Sequence, residues 1–523
     1  MSQREPAPPP SNDHPERPSW LPPPVPPEPS EPPPGPSVPP APPIPPEPPE
    51  PPEPFEPPEP FEPPTLPRQP GRRPGRRPLL ITAAVVVVLA LVGGAISAWG
   101  NGRRSSPAAP SPSSAASPGP APSAGGGGGA TSTQPRPSTP AGVRAVESEV
   151  ERLRGLRFER PVPVIVESPA KVADQFRRQF DRDNGKAEVQ RLGRALQLLG
   201  ELPQGTDLYG LLRAVSAESV LGFYVPGKPP DRGRLYVRSD RGLDPYARFV
   251  LAHELTHAVT DQHYDLTLAD RLAARDATDR LSAYTGLAEG DATVTMQLYH
   301  DQVLSRAEQA DADRVGAAQR TPKLNAAPPA LRESLLFPYS AGAAFVVALY
   351  RHGGWDAVNR AYRDPPTSTE QLLHPERYLG QRDQPQTVDV PDLRGALGSG
   401  WRQAARSEWG EFDTRLLLEG EFPVATAERV ADGWDGGELR TFERGSRTAL
   451  VLRTVWDSPA EAGESCTAMS RWATARFGRG VAAGRWSAPL QETALVCQGT
   501  HVAWLSAPDR PTLDRMARGL GTP

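Results

Sequence analysis

The prolines of this chain are concentrated before residue 141, and their distribution decides which part of the chain can fold. The sequence has 68 prolines in 523 residues, and they crowd into the first 80 residues and the stretch after residue 105. Proline lacks a backbone donor and interrupts both helices and sheets. Residues 1–78 are therefore predicted to be a disordered, Pro/Glu-rich segment that samples extended polyproline II conformations. The folded core is expected to begin at residue 141.

Glutamate recurs at every third position between residues 47 and 62. Three residues is the repeat of the polyproline II helix, so these glutamates would line one side of it. Such an acidic stripe fits a docking strip for a basic or aromatic-lined cytoplasmic partner, and it also fits a solvated spacer. Compositional segments rarely carry specific recognition, so the spacer is the favoured interpretation.

Residues 79–99 form an uncharged apolar segment of 21 residues. A helix of that length covers the ~30 Å hydrocarbon core of a bilayer, which predicts one transmembrane helix. Four arginines precede it, between residues 72 and 77, and two follow it at 103 and 104. The positive-inside rule then places the N-terminus in the cytoplasm and the rest of the chain outside the cell membrane. Residues 100–140, rich in Ser, Pro and Gly, are predicted to be a flexible linker.

Two histidines four residues apart carry the clearest chemical signal in the chain. His253, Glu254 and His257 form the pattern H-E-x-x-H. Asp244 and Pro245 are a good N-cap and first-turn pair, which predicts that this pattern lies on a helix. Both imidazoles would then face one side and could bind Zn²⁺, with Glu254 acting as the general base on a water molecule held there.

A third protein ligand is needed, and the sequence offers two candidates. His263 has the spacing used by metzincins, but Thr260 occupies the position where that class has the glycine that lets the chain leave the helix. Glu289 lies between Gly286 and Gly290 in a helical stretch, where each glycine costs ~1 kcal/mol relative to alanine. Small residues there predict a close approach to the metal helix that would direct Glu289 at the metal. Glu289 is the favoured candidate, and His263 remains the alternative.

At this point the sequence resembles a known family. HELTHAVTDQHYDL at 253–266 and LAEGDATV at 287–294 look like the zincin-type, gluzincin-like zinc metallopeptidases of membrane-anchored bacterial proteins. Further similarities are GFY at 222–224, FPY at 337–339, GGW at 353–355, and PPTSTEQ with LHPE between 365 and 376. The resemblance spans about residues 150 to 440.

The resemblance implies a helical active-site domain in which His253, His257 and Glu289 hold zinc and Glu254 is the base. Relatives on the thermolysin side carry an aspartate four residues after the ligand glutamate, where it supports a histidine, and here that position is Thr293. Asp291 or Asp261 is the expected replacement in that supporting role.

Hydrolysis also needs a group that stabilises the oxyanion, and a strand that binds the substrate. Tyr339 and His374 are the candidates for the oxyanion, since each lies in a Pro-flanked segment downstream of the metal helices. In zincins an edge strand before the metal helix pairs with an extended peptide, and residues 235–237 occupy that place in the sequence. This strand is predicted to form a hairpin with residues 220–225, and residues 162–166 are predicted to be a buried strand.

The fold class predicted from these patterns is α+β. Residues 141–420 would form a mainly helical zincin-like metallopeptidase domain with a small sheet, and residues 421–523 a small α+β domain. Cys466 and Cys497 are expected to form a disulfide there if the domain lies outside the membrane, with two core thiols as the alternative. The net charge is −4 and no basic face is evident, which argues against a nucleic-acid partner.

Two functional hypotheses follow. The first is a single-pass membrane protein whose zinc-dependent peptidase hydrolyses peptide bonds of a peptide or protein substrate outside the cytoplasmic membrane. The second is a catalytically inactive zincin-fold module with a binding or scaffolding role in the cell envelope.

Overall fold

The computed structural model describes residues 142–226 and 233–521. The predicted Pro-rich segment 1–78, the span 79–99 and the linker 100–140 lie outside the described residues. The helices of the part before residue 400 are α1 Val143–Arg154, α2 Pro169–Asp183, α3 Lys186–Leu199, α4 Leu208–Ser219, α5 Pro245–Tyr264, α6 Leu268–Ala273, α7 Thr278–Gln302, α8 Arg306–Ala318, α9 Pro322–Asn325, α10 Pro329–Arg363, α11 Thr369–Leu373, α12 Pro375–Leu379 and α13 Arg394–Leu397. We call this part the helical part.

A small sheet accompanies these helices. Its strands are β1 Val164–Glu167, β2 Gly222–Val225 and β3 Arg234–Arg238, in the order β1-β3-β2. β2 and β3 pair antiparallel, as the predicted hairpin requires, and β1 pairs parallel with β3. Because β3 is central, the prediction that residues 235–237 form an edge strand is wrong. The strand at the edge beside α5 is β2.

Helix α5 begins where the sequence predicts. The carboxylate of Asp244 accepts a hydrogen bond from the backbone N–H of Ala247 at 2.8 Å, and Pro245 occupies the first turn. All but one of the residues from Tyr246 to Thr260 are buried, including the polar ones, so α5 is a core helix and not a surface helix with one apolar side. It packs against α7.

Helix α10 is the longest helix and contains two irregular points. Pro338 lies in its interior, and Gly353 and Gly354 depart from helical geometry. By length and hydropathy alone, it is the single helix among residues 142–226 and 233–521 that could cross a membrane. It packs along α7, and its buried side chains include Phe345 and Leu349.

The remaining residues build a six-stranded sheet with helices on both faces, which we call the C-terminal unit. Its strands are β4 Arg402–Glu408, β5 Trp434–Arg444, β6 Arg447–Trp456, β7 Arg485–Ala488, β8 Gln491–Gln498 and β9 His501–Ala507. Its helices are α14 Glu411–Glu419, α15 Val424–Ala431, α16 Pro459–Phe477 and α17 Arg510–Gly519. The sheet order is β4-β5-β6-β9-β8-β7. The first of these strands, β4, precedes residue 421, so the last structural unit begins earlier in the chain than the predicted domain 421–523. The chain is thus of the α+β class, as predicted.

Both faces of this sheet are covered. One face packs with Trp472 of α16 and Leu199 of α3, which joins it to the helical part, and the other face packs with Leu513 of α17. Cys466 on α16 and Cys497 on β8 form a disulfide, which confirms the predicted pairing.

Candidate metal centre

Three side chains that are distant in the sequence meet between α5 and α7. The imidazole Nε2 atoms of His253 and His257 lie 3.0 Å apart. The Oε2 atom of Glu289 lies 3.2 Å from Nε2 of His253 and 3.3 Å from Nε2 of His257. All three residues are at most 5% exposed. The structure therefore brings both predicted histidines together with Glu289.

The spacing of these atoms can be compared with what a metal ion requires. Zinc binds histidine nitrogen and carboxylate oxygen at ~2.0–2.1 Å, and tetrahedral coordination then separates two ligand atoms by about 3.3 Å. The three separations, from 3.0 to 3.3 Å, lie close to that value. Two nitrogens and one oxygen suit zinc better than Mg²⁺ or Ca²⁺, which prefer oxygen ligands alone. The arrangement fits three corners of one tetrahedron.

The carboxylate of Glu289 is held in its charged form. Burial, the largest influence, would raise its pKa, but the nearby imidazoles of His257 and His253 outweigh burial and lower the pKa to about 2. Glu289 is thus ionised across the physiological pH range, as a metal ligand must be. Burial also lowers the pKa of His253, which favours the neutral imidazole that binds metals.

Glu254 lies beside this cluster and has few partners of its own. It is fully buried, and neither of its carboxylate oxygens has a hydrogen-bond partner within residues 142–226 and 233–521. The backbone N–H of Tyr224 nevertheless lies close enough to lower the pKa of Glu254. Burial raises the pKa of Glu254 to about 8, with an opposing effect from His257. A carboxyl with a pKa near neutrality can both accept and donate a proton at physiological pH.

The edge strand β2 packs directly on Glu254. A Cβ atom built on Gly222 would lie 3.1 Å from Cγ of Glu254 and 2.9 Å from the carbonyl oxygen of Tyr236. Gly222 therefore allows the strand to approach the metal helix closely. This role is assigned from the structure, because a glycine at the start of a strand does not indicate in the sequence which helix packs against it.

Tyr339 joins the cluster from α10. Its ring lies 6.2 Å from the imidazole of His253, nearly parallel to it, and the residue is 3% exposed. Burial and then the negative charge of Glu289 raise the pKa of Tyr339 well above its ordinary value, so its hydroxyl stays protonated. The structure therefore places Tyr339 next to the three candidate ligands, where a neutral hydroxyl can donate a hydrogen bond.

His374 does not join the cluster. Its Nε2 atom lies 3.0 Å from Oε1 of Glu411 and 3.4 Å from Oδ1 of Asp432, both in the C-terminal unit. The geometry thus gives no support to a role for His374 at the oxyanion. His374 directly follows the short helix α11, but its partner Glu411 lies 37 residues further along the chain.

His263 also lies elsewhere. Its Nε2 atom is 2.8 Å from the carbonyl oxygen of Arg157, and its Nδ1 atom is 3.9 Å from the carboxylate of Glu159. The helix α5 continues unbroken to Tyr264, so His263 points away from the side that carries His257. Of the two candidates for the third ligand, only Glu289 reaches the cluster.

Of the two glycines beside Glu289, Gly290 faces α10 and Gly286 faces α11, so neither faces α5. A Cβ on Gly290 would overlap the carbonyl of Gly342 on α10, at 2.1 Å from its oxygen, and one on Gly286 would lie 2.5 Å from Cδ2 of Leu372. The glycines do allow another helix to approach α7 closely, as predicted, but that helix is not α5, which the sequence predicts there. The glycines bring α10, and with it Tyr339, close to α7.

Asp291 connects four helices next to the centre. It accepts hydrogen bonds from Nε of Arg154 at 2.6 Å, from the hydroxyl of Tyr362 at 3.0 Å and from Oγ1 of Thr260 at 3.4 Å. Arg154 and Asp291 are both fully buried, and the guanidinium lies 4.5 Å from the ring of Trp355. Asp291 therefore fixes α1, α5 and α10 to α7. The position of Asp291, two residues after Glu289, indicates in the sequence that it lies near the site. Nothing in the sequence around Arg154 indicates that this residue is the partner of Asp291.

Asp291 and Asp261 are the expected supports for a ligand histidine, and neither has that contact. Asp261 accepts a hydrogen bond from the hydroxyl of Tyr224 at 2.8 Å. Nδ1 of His253 has no hydrogen-bond partner among the described residues. The supporting carboxylate predicted for the histidines is thus not found at either position.

Comparison with known proteins bears only on the C-terminal unit. A family model described as a domain of unknown function (DUF8575) matches residues 399–517. No curated protein and no solved structure matches the chain. The matched range contains the six-stranded sheet and lies outside the helices that carry the cluster. The only support for a metal centre therefore comes from the positions and chemistry of His253, His257 and Glu289.

Proposed function

We propose that this protein is a zinc-dependent metallopeptidase of the zincin type that hydrolyses peptide bonds. The observation that carries the proposal is the convergence of His253, His257 and Glu289 at tetrahedral spacing, with Glu254 beside them. Ligand type, burial and an ionised Glu289 all favour a tightly held divalent ion of the zinc class.

His253, His257 and Glu289 would hold the zinc ion, which when bound would supply Lewis acidity to a peptide carbonyl and to a nearby water molecule. Glu254 would take the proton from that water and later deliver it to the leaving amine, for which its raised pKa is suited. The protonated hydroxyl of Tyr339 would donate to the oxygen on which negative charge develops. The free edge of β2 would pair with the extended substrate backbone.

The proposed location is outside the cytoplasmic membrane, with residues 79–99 as a single-pass anchor. The disulfide between Cys466 and Cys497 supports this location, because such bonds persist in oxidising compartments and are rare in the cytosol.

A second candidate function is a catalytically inactive, metal-holding module with a binding or scaffolding role in the cell envelope. Two observations favour it. The ligands and Glu254 are at most 5% exposed, and Nδ1 of His253 lacks the supporting acceptor that zinc-bound histidines usually have.

The test compares the full chain with its Glu254→Gln variant. We expect about one zinc per chain in both, measured by plasma emission spectrometry, and a fall of about 10²- to 10⁴-fold in peptide hydrolysis in the variant. The matched control is Glu464→Gln, which makes the same chemical change at an exposed carboxylate on α16 and should retain full activity.

Absence of zinc from the wild type would contradict the proposal. Zinc without hydrolysis of a broad peptide library would favour the inactive module, and full activity in Glu254→Gln would remove Glu254 from the mechanism.

A further inference from the structure

An apolar cavity of about 210 Å³ lies where the helical part meets the C-terminal unit. Leucines of α3, α4, α7 and α10, such as Leu212 and Leu281, form one wall. Trp409, Phe412 and Leu416 of the C-terminal unit form the other wall. Most of the surface lining the cavity is hydrocarbon, so it would accept an aliphatic group.

The cavity runs along the same helices that carry the metal centre. Thr285 lines it, and Glu289 is one turn further along α7. Leu335 lines it, and Tyr339 is one turn further along α10. One turn is ~5.4 Å, so the inner end of the cavity is close to the proposed zinc ligands.

Three residues that line the cavity carry carboxyl groups, and one of them, Glu408, is ion-paired with Arg280. The other two, Glu201 and Asp413, form what we call the acidic end of the cavity. Burial and then the charge of Asp413 raise the pKa of Glu201 to about 8. Burial raises the pKa of Asp413 to about 6. Asp413 also lies near Asp279, at the start of α7 and away from Glu289. The two carboxyl groups are therefore close enough to raise each other's cost of ionisation, and a cation bound between them would favour their charged forms.

Neither carboxyl group has a cationic partner within ion-pair distance among the described residues. Oε1 of Glu201 is buried and has no hydrogen-bond partner. Asp413 accepts one hydrogen bond, from the backbone N–H of Gly410. The neighbouring guanidinium of Arg476 donates instead to the carbonyl oxygens of Gln197 and Gly200. Near neutral pH Glu201 avoids the cost of a buried charge by keeping its proton, and a bound cation would instead stabilise its ionised carboxylate.

A second cavity, of about 550 Å³, gives access from the surface. It shares Glu201, Ala330 and Leu416 with the first, and its lining includes the exposed side chain of Val424. A ligand can therefore reach the acidic end without passing through the metal centre.

We propose that the apolar cavity binds an aliphatic chain that ends in an ammonium or guanidinium group, with the chain against the leucines and the cation between Glu201 and Asp413. The side chain of a lysine in a peptide and a free alkylamine share this chemistry. The C-terminal unit supplies Asp413 and the aromatic wall, so the family domain at 399–517 would take part in ligand recognition.

The experiment measures binding to the full chain carrying Glu254→Gln, which prevents turnover from obscuring the result. Isothermal titration compares n-butylammonium, 1-butanol and butyrate, which have similar length and differ in charge. A second arm compares two alanine-rich pentapeptides with lysine or norleucine at the central position. We expect butylammonium and the lysine peptide to bind, and the uncharged and anionic probes to bind at least about tenfold more weakly.

Further substitutions are made in the same background. Glu201→Gln and Asp413→Asn should each weaken butylammonium binding about tenfold or more, and Ser334→Phe, which fills the cavity from α10, should abolish it. Glu464→Gln removes an exposed carboxylate outside the cavity and should leave binding unchanged. Melting temperatures show whether each variant is folded.

Equal binding of butanol or butyrate, or unchanged binding in the Glu201→Gln, Asp413→Asn double variant, would overturn the inference. Binding by the lysine peptide alone would identify a peptide as the source of the cation, and binding by butylammonium alone would identify a free amine. The readout needs neither zinc nor hydrolysis. A failure of the proposed peptidase function therefore leaves this binding intact, and a failure here leaves zinc content and hydrolysis intact.

Discussion

Two groups of side chains in this protein have the composition of a metal site, and they differ in their surroundings. His253, His257 and Glu289 form the first group, which is buried. His374, Glu411 and Asp432 form the second, which lies between the helical part and the C-terminal unit. In each group the ligand atoms lie within 4.8 Å of one another. The number and spacing of the candidate ligand atoms therefore do not show which of the two groups binds a metal ion.

Charge and exposure do distinguish them. The second group includes a competing cation, because the guanidinium of Arg377 lies 2.8 Å from Asp432 and also contacts Glu370. The side chain of Asp432 is 52% exposed, whereas that of Glu289 is fully buried against the two imidazoles. A carboxylate that already has an arginine partner gains less from a metal ion than one without. The contrast favours the first group as the site of the proposed metal centre, whereas the second group is an ion-pair network.

The strongest test of this contrast is metal content after matched substitutions. Glu289→Gln should weaken zinc binding by more than about 100-fold, since changes even outside the ligand shell cost ~10–100-fold. Glu411→Gln makes the same chemical change in the second group and should leave zinc content at the wild-type value. Both are measured by competition with a fluorescent chelator. Zinc loss in Glu411→Gln with retention in Glu289→Gln would reverse the assignment.

A second test uses the pH dependence of stability in metal-free protein. Burial raises the pKa of Glu254 to about 8, from an ordinary value of 4.5. Between these values the folded state holds a proton that the unfolded state has lost, so the free energy of unfolding falls as the pH rises through this window. The shift corresponds to on the order of 3 to 5 kcal/mol.

The measurement is chemical denaturation at pH 5 and pH 8.5 in the presence of a chelator. We expect wild type to lose more stability than Glu254→Gln over this interval, since the amide does not titrate. Bound zinc should reduce the difference, because a nearby cation stabilises the charged carboxylate. Parallel pH profiles for the two proteins would contradict the pKa assigned to Glu254.

The smallest expected effect belongs to the second group. The hydrogen bond to Glu411 raises the pKa of His374 above 6.5. The resulting stabilisation is complete below pH 6.5 and is lost as the pH rises through the raised pKa. His374→Gln should therefore lower the melting temperature at pH 6, by an amount equivalent to about 1 kcal/mol or less because the pair is partly exposed, and should have little effect at pH 9.

Zinc content serves as the control for this last variant and should not change. A loss of hydrolysis with intact zinc binding would instead return His374 to the mechanism.

Local signals in the sequence predict much of the fold around the site. The cap at Asp244 and Pro245 predicts the start of α5, and the aromatic and β-branched runs at 220–225 and 235–237 predict the β2–β3 pair. Both features depend on contacts between residues that are close in the chain. The order of the strands in the small sheet depends instead on a distant contact, because β1 pairs with β3 although α2, α3 and α4 lie between them in the chain. This pairing places β3 at the centre of the sheet, where the sequence predicts an edge strand.

The same distinction applies to the site. The spacing of His253 and His257 fixes their shared face, and the glycines around Glu289 indicate a close helix contact. Which helix makes that contact is a tertiary property, and it is α10 that approaches, through Gly342. His374 likewise lies in a motif that looks functional, but its partner Glu411 comes from a unit whose packing the motif does not encode.

The buried pair of Arg154 and Asp291 has a mechanical consequence. Helix α1 is the first described element, and Arg154 at its end is bonded to Asp291, two residues from Glu289. A displacement of α1 along its axis is therefore passed directly to α7, two residues from Glu289. The geometry of the candidate site thus depends on a helix that contributes no candidate ligand.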